Sequence, residues 1–154
     1  VRLKRIIEVR GADTASSGHL AALPALWTGL YYDADALEAA WDLLHRTSVA
    51  ELDAGQLDVA KRGLRAEMGG RKVLDLAREL VAISAEGLRR IDAEGARERA
   101  ASARGARGVR GSERHLDPLL EQLDKGISPG EEVLERWRGE WDRDWSSLIE
   151  ATRF

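Results

Sequence analysis

The chain begins with an alternation of apolar and charged residues and then turns to helical periodicity. In Arg5-Ile6-Ile7-Glu8-Val9-Arg10 the run is β-branched and apolar apart from its charges. Residues two apart on a strand share a face. A strand here puts Ile6, Glu8 and Arg10 on one side and Ile7 and Val9 on the other. Charge on so apolar a strand is either one solvated face with a cross-strand ion pair or a pair with a chemical task. Thr14-Ala15-Ser16-Ser17-Gly18 then reads as a turn.

From Leu20 the pattern predicts helices. Leu20 to Tyr32 is small or apolar at nearly every position, with Pro24 near its first turn, which predicts a helix buried on most sides. Trp27, Tyr31 and Tyr32 are expected in its packing. Asp33 caps a helix over Ala34 to His45, with Leu37, Trp41 and Leu44 on one stripe. Ser48 and Glu51 form a capping box for the next helix, and Gly69-Gly70 breaks the chain. Val73, Leu76, Ala77, Leu80 and Ile83 predict a longer helix from about Lys72 to Ile91. Ser112 starts another that carries Leu116, Leu119, Leu120 and Leu123 and stops at Gly126. Ser128-Pro129-Gly130-Glu131 opens a final helix carrying Val133, Leu134, Trp137 and Trp141, then Trp145 and Leu148. Tryptophans four apart predict a core or interface stripe.

Composition narrows the chemistry. Hydrophobic residues at 44% and charged residues at 33% of 154 describe a globular domain able to bury a core. Net charge is −3, too small to steer the chain toward nucleic acid or an anionic membrane. No run is long enough to cross a bilayer. The basic stretch from Arg97 to Arg114 has no interleaved aromatic residue for base stacking, so a loop over 94–111 linking helices is expected. Without cysteine there is no thiolate ligand or nucleophile. His19, His45 and His115 lack zinc spacing, and no phosphate-binding glycine loop is present. Arg136 and Arg143 lie within helical reach of Glu140, so the acidic run Glu140, Asp142, Asp144 predicts ion pairing rather than a metal site.

Four blocks together carry a resemblance. They are Arg2-Leu3-Lys4-Arg5, Glu8-Val9-Arg10-Gly11-Ala12-Asp13, Ala22-Leu23-Pro24-Ala25-Leu26-Trp27 and Gly29-Leu30-Tyr31-Tyr32-Asp33. In order and spacing they resemble the glutamate–cysteine ligases of the plant and proteobacterial type. The likeness continues more faintly through Gly126-Ile127-Ser128-Pro129 and Gly139-Glu140-Trp141. The chain departs from that family in the turn at 14–18, where relatives usually carry Gly-Gly-Pro-Trp. A substrate contact by that tryptophan is therefore not carried over.

The resemblance implies an α+β fold, mainly helical here, whose strand over 1–13 belongs to the antiparallel active-site sheet of a glutamine synthetase-like catalytic domain. It implies that a chain starting at Val1 rather than Met is the C-terminal part of a longer enzyme. The implied reaction joins the γ-carboxylate of glutamate to the amino group of cysteine, with ATP as co-substrate and Mg2+ as cofactor. Glu8 would hold magnesium, Arg10 the transferred phosphoryl group or a substrate carboxylate, Arg5 a nucleotide phosphate, and Tyr32 part of the substrate pocket. One strand makes no active site, so the fragment alone is expected to be inactive without the N-terminal part of the enzyme. A cytoplasmic setting is expected, with a homo-oligomer compatible and neither nucleic acid nor membrane as partner. Two rivals remain open. A helical interaction module explains the helices but not the charged strand followed by Leu23-Pro24-Ala25-Leu26-Trp27. A sister ATP-dependent ligase would use another amine.

Overall fold

A computed structural model describes residues 2–3, 7–8, 17–101 and 111–153. In chain order its elements are β1 (Arg2–Leu3), β2 (Ile7–Glu8), α1 (Ala22–Tyr31), α2 (Ala34–Leu44), α3 (Val49–Arg62), β3 (Glu67–Met68), β4 (Arg71–Lys72), α4 (Val73–Ala101), α5 (Asp117–Lys125), α6 (Pro129–Arg138) and α7 (Trp145–Ala151). The described residues are therefore mainly helical, with short antiparallel ladders.

The long helix α4 is the hub. α1 and α2 lie on it, and α5 with the 3-10 turn Ser112–Leu116 closes its other flank. The core gathers Ala25, Val81, Ala85, Leu88, Leu116 and Leu123. Leu116 is wholly buried. Burying a leucine stabilises by about 1.5–3 kcal/mol.

The crossing of α1 over α4 is built from small residues. A Cβ added at Gly29 would lie 2.2 Å from the Ser84 carbonyl oxygen, and one at Gly87 would lie 2.1 Å from the Gly29 carbonyl oxygen. Gly87 also sits 3.0 Å, at that Cβ position, from the Ala36 methyl of α2. The buried Ser84 hydroxyl donates to the Leu26 carbonyl at 2.9 Å, tying the two helices together. Backbones this close leave no room for any side chain at the two glycines.

Local chemistry sets most helix ends. Asp33 accepts from the Ala36 N–H at 2.8 Å and caps α2. It also receives a two-pronged contact from Arg90 of α4, at 2.9 and 2.8 Å. Ser48 with Glu51 and Ser128 with Glu131 form capping boxes at α3 and α6. Gly126, at φ 69°, ends α5. Gly69 and Gly70, at φ 57° and 73°, form the turn between β3 and β4, where positive φ favours glycine.

Several expectations are corrected. The strand expected over 1–13 is not one continuous strand among the described residues: β1 pairs with β2 antiparallel, Arg2 opposite Glu8 and Leu3 opposite Ile7. A strand edge needs hydrogen-bond partners, and the nearest complementary backbone is its own chain. α4 runs to Ala101 instead of stopping at Ile91, so residues 94–101 of the expected loop are helix. Ala, Glu and Arg over 93–101 are strong helix formers and outweigh Gly95. The rest of that stretch, 102–110, lies outside the described residues.

The helix expected from Ser112 does begin there, as the 3-10 turn Ser112–Leu116 that runs into α5 and stops at Gly126. The Ser112 N–H and hydroxyl both bind Asp92, at 2.9 and 2.8 Å. The single final helix is two. α6 ends at Gly139, Asp142 and Arg143 take φ 43° and 61°, and Asp144 caps α7 through the Ser147 N–H at 2.8 Å. Trp141 folds into this reversal, 6% exposed, with the Arg136 guanidinium 4.4 Å from its ring centre. The reversal brings Trp137 and Trp145 to 4.8 Å between ring centres.

Two tests follow from this packing. Gly87→Ala is expected to cost about 1–3 kcal/mol by overpacking, read as a lowered denaturant midpoint. Gly130→Ala, where an added Cβ meets nothing within 4 Å, is expected to shift stability by less than about 0.5 kcal/mol. Equal effects of the two substitutions would show that the crossing is not close-packed.

The second test concerns Asp33. The Arg90 guanidinium, helped by the Ala36 N–H, holds its carboxyl below the ordinary value of 3.8. A carboxylate lowered in the folded state contributes stability that is present above its unfolded pKa and lost as pH falls through the folded one. Stability is thus expected to fall below pH 3.8, and Asp33→Asn to flatten that fall while keeping the cap. Asp33→Ala removes the cap as well, at about 1 kcal/mol. Urea midpoints of the three proteins at neutral and acid pH check both parts.

Candidate functional site

Of the residues singled out for chemistry, Glu8 lies in β2 and Tyr32 is the C-cap of α1. Arg5 and Arg10 lie outside the described residues. The structure therefore gives Glu8 a strand position, as the alternation predicts. Tyr32 is 80% exposed and Tyr31 48%, so neither is core packing. Trp27 is half-buried and stacks on Tyr31, ring centres 5.2 Å apart and planes within 12°. The reason is geometric: α4 touches the face of α1 bearing Ala22, Ala25 and Gly29, and the aromatic side of the helix lies away from it.

The block Gly29-Leu30-Tyr31-Tyr32-Asp33 thus divides its work. Gly29 allows the helix crossing, Leu30 is buried, and Asp33 joins α1 to α2 and clamps both to Arg90. Tyr32 stands between the two anchored residues with its ring in solvent. The sequence signal for this division was the glycine at a helical position together with the cap residue. Which partner each would meet lies in the tertiary packing.

Elsewhere the described charges serve structure. Asp58 binds the Arg62 guanidinium and accepts from the Glu67 N–H at 2.8 Å, which lowers its pKa to about 2. Glu140 pairs with Arg136 at 2.8 Å, as helical spacing predicts, and the guanidinium lowers its pKa. Arg143 instead takes a left-handed conformation in the turn. Glu131 is held low by the Ser128 cap and the nearby Arg65. Each of these shifts favours the charged form, which is what paired carboxylates do and what a proton-donating acid does not.

A polar cleft of about 300 Å³ lies between the end of α2 and the β3–β4 turn, lined in part by Asp42, Arg46, Thr47, Glu51 and Arg71. Glu51 is engaged in its capping box and Arg71 with Glu79. No group of three or more histidine and acidic side chains converges among the described residues. No described helix is long and apolar enough to cross a membrane.

Comparison with known proteins places this arrangement. The family model described as glutamate-cysteine ligase family 2 matches residues 1–151. The chain is 30% identical over 150 residues to the chloroplastic glutamate–cysteine ligase of Solanum lycopersicum, covering 97% of this chain and 25% of that protein. With the chloroplastic enzyme of Arabidopsis thaliana the identity is 31% over 150 residues, covering 97% and 26%. With that of Brassica juncea it is 33% over 141 residues, covering 92% and 24%. The chain spans about a quarter of the length of the curated relatives it matches.

These names overturn the cytoplasmic expectation, because the relatives are chloroplastic enzymes. A cysteine-free composition suits many compartments, and an organelle address is a separate, removable leader that leaves no mark on a mature domain. With the family model matched along 151 residues, the chain belongs to glutamate-cysteine ligase family 2.

Proposed function

We propose that this chain is the part of a glutamate–cysteine ligase that carries one active-site strand and the helical buttress behind it. The observation that carries the reading is the family match over residues 1–151, which takes in Glu8 and Arg10 as well as the α1 and α2 blocks. The strand belongs, in this reading, to the antiparallel sheet of a glutamine synthetase-like catalytic domain whose other strands come from the rest of the polypeptide.

The chemistry suits the residues. A carboxylate is a poor acyl donor at neutral pH. Transfer of the γ-phosphoryl group of ATP to the γ-carboxylate of glutamate releases ADP and gives γ-glutamyl phosphate. The amino nitrogen of cysteine then bonds to the acyl carbon, the carbon–oxygen bond to phosphate breaks, and the amine loses its proton. Catalysis of such a transfer rests on alignment and on neutralising charge at the transferred group.

Arg10 supplies a planar two-pronged cation that matches a phosphoryl or carboxylate group. Arg5 meets a nucleotide phosphate. Tyr32, exposed and bounded by two anchored residues, is available to line the substrate pocket. Glu8 offers the hard oxygen donor that Mg2+ prefers. When bound, the metal neutralises phosphate charge. Glu8 is one ligand only, and with no acidic cluster among the described residues the remaining ligands come from elsewhere in the enzyme.

The test is Glu8→Gln in the complete enzyme. The amide keeps the shape and loses the charge. kcat for ATP-, glutamate- and cysteine-dependent phosphate release is expected to fall on the order of 10²–10³-fold, in the range of removing one electrostatic contact to a transition state. Half-maximal rate should also need more magnesium, while the melting temperature stays put. Normal turnover at limiting magnesium would remove Glu8 from the site. These 154 residues alone are expected to show no such phosphate release, and a measured rate from them would refute the need for strands from elsewhere.

A further inference from the structure

α1 and α2 are built inside out. Their packed sides carry mostly small residues: Ala22 and Ala36 are both 0% exposed, and Ala25, Gly29 and Ala40 are also buried, with Leu26 and Leu30 of α1 the large exceptions. Away from those sides they present large ones: Leu20 before α1 at 66%, Tyr31 at 48%, Leu37 at 45% and Trp41 at 66%. The stripe Leu37, Trp41, Leu44 is thus the outer flank of α2, not its packed face. α1 carries no charged residue at all, and a helix apolar around its circumference is a buried helix. A layer that ends a protein places its large side chains inward, where burial stabilises most. This layer does the reverse, which is the pattern of a middle layer covered on both sides.

We infer that the outer face of the α1–α2 layer is an interface for the part of the same polypeptide that lies outside these 154 residues. The inference rests on family membership and relative length, not on the roles given to Glu8 and Arg10. Relatives carry about three quarters of their length outside the matched region. A tethered segment meets the face at an effective concentration that a second copy rarely reaches. The face is also preorganised. Trp27 stacks on Tyr31, and Trp41 lies 5.7 Å from the His45 ring, planes within 18°. Stacked aromatics have little rotamer freedom left to lose on docking.

Photocrosslinking in the complete polypeptide tests the assignment. p-Benzoylphenylalanine is placed by amber suppression at Tyr31 in one variant and Trp41 in another, with the exposed Glu121 of α5 as the control position. Irradiation is expected to link positions 31 and 41 to peptides from outside residues 1–154, within one chain. Mass spectrometry identifies the peptide, and denaturing electrophoresis shows a monomer-sized product. Position 121 should link far less. A dimer-sized product through positions 31 or 41 would assign the face to a second copy and overturn the inference. Links confined to residues 1–154, or none, would overturn it equally. Ligase turnover measured on the same preparations separates the two readings. Crosslinks with no glutamate–cysteine ligase activity would sink the catalytic proposal and leave the interface standing, whereas turnover without crosslinks would do the opposite.

Discussion

The close approach of Gly29 and Gly87 is the constraint on which the rest of the bundle depends. Two glycines let α1 settle so deeply on α4 that the backbone of each helix occupies what would be the other's side-chain space. At that distance the Ser84 hydroxyl reaches the Leu26 carbonyl, and the Ala36 methyl of α2 fits against Gly87. The Asp33–Arg90 contact then falls into place at the α1–α2 junction. Glycine in a helix interior costs about 0.5–1 kcal/mol relative to alanine. That cost is tolerable because the crossing buries Leu30 and Leu88 beside it.

What could be read in the sequence was local. Asp33, the Ser48–Glu51 and Ser128–Glu131 boxes, and the Gly126 stop act within four residues of where they stand, so their pattern alone announces them. What could not be read was decided at longer range. Leu37, Trp41 and Leu44 form an orderly stripe, but whether a stripe faces inward depends on what the neighbouring helix offers, and α4 offers Gly87 to the alanine side. The end of the chain misled in another way. Trp137, Trp141 and Trp145 keep helical spacing across a turn in which Asp142 and Arg143 adopt left-handed backbone. Gly139 and the Asp144 cap were the available signals. The period of the tryptophans outweighed them, although hydrogen bonds from the Trp141, Asp142, Arg143 and Asp144 N–H groups and the burial of Trp141 hold the reversal.

The candidate site divides along the same line. The acid–base alternation around Glu8 and the blocks that follow it were legible because they are short, contiguous and chemically specific, and the family match covers them. Placement of Arg5 and Arg10 falls outside the described residues, and the organelle of the relatives left no trace in a cysteine-free domain. Tyr32 could be located on the boundary of two helices from the sequence, but its exposure follows from α1 packing through the side that bears Ala22, Ala25, Gly29 and Leu30.

Charge and packing are therefore segregated along this chain. From residue 17 onward, the described carboxylates with altered pKa are bound to arginines or helix N-terminal amides, and each is held in its charged form by that partner. Such groups are committed to holding helices in register and have no proton to move at neutral pH. Glu8 stands apart from these pairs, in β2, which among the described residues pairs with β1 of the same chain. A strand of that kind becomes an active-site floor only when other strands flank it. The α1–α2 layer becomes a middle layer only when its outer apolar face is covered. Under the proposed function a polypeptide of the relatives' length, about four times the region matched here, would meet both needs together.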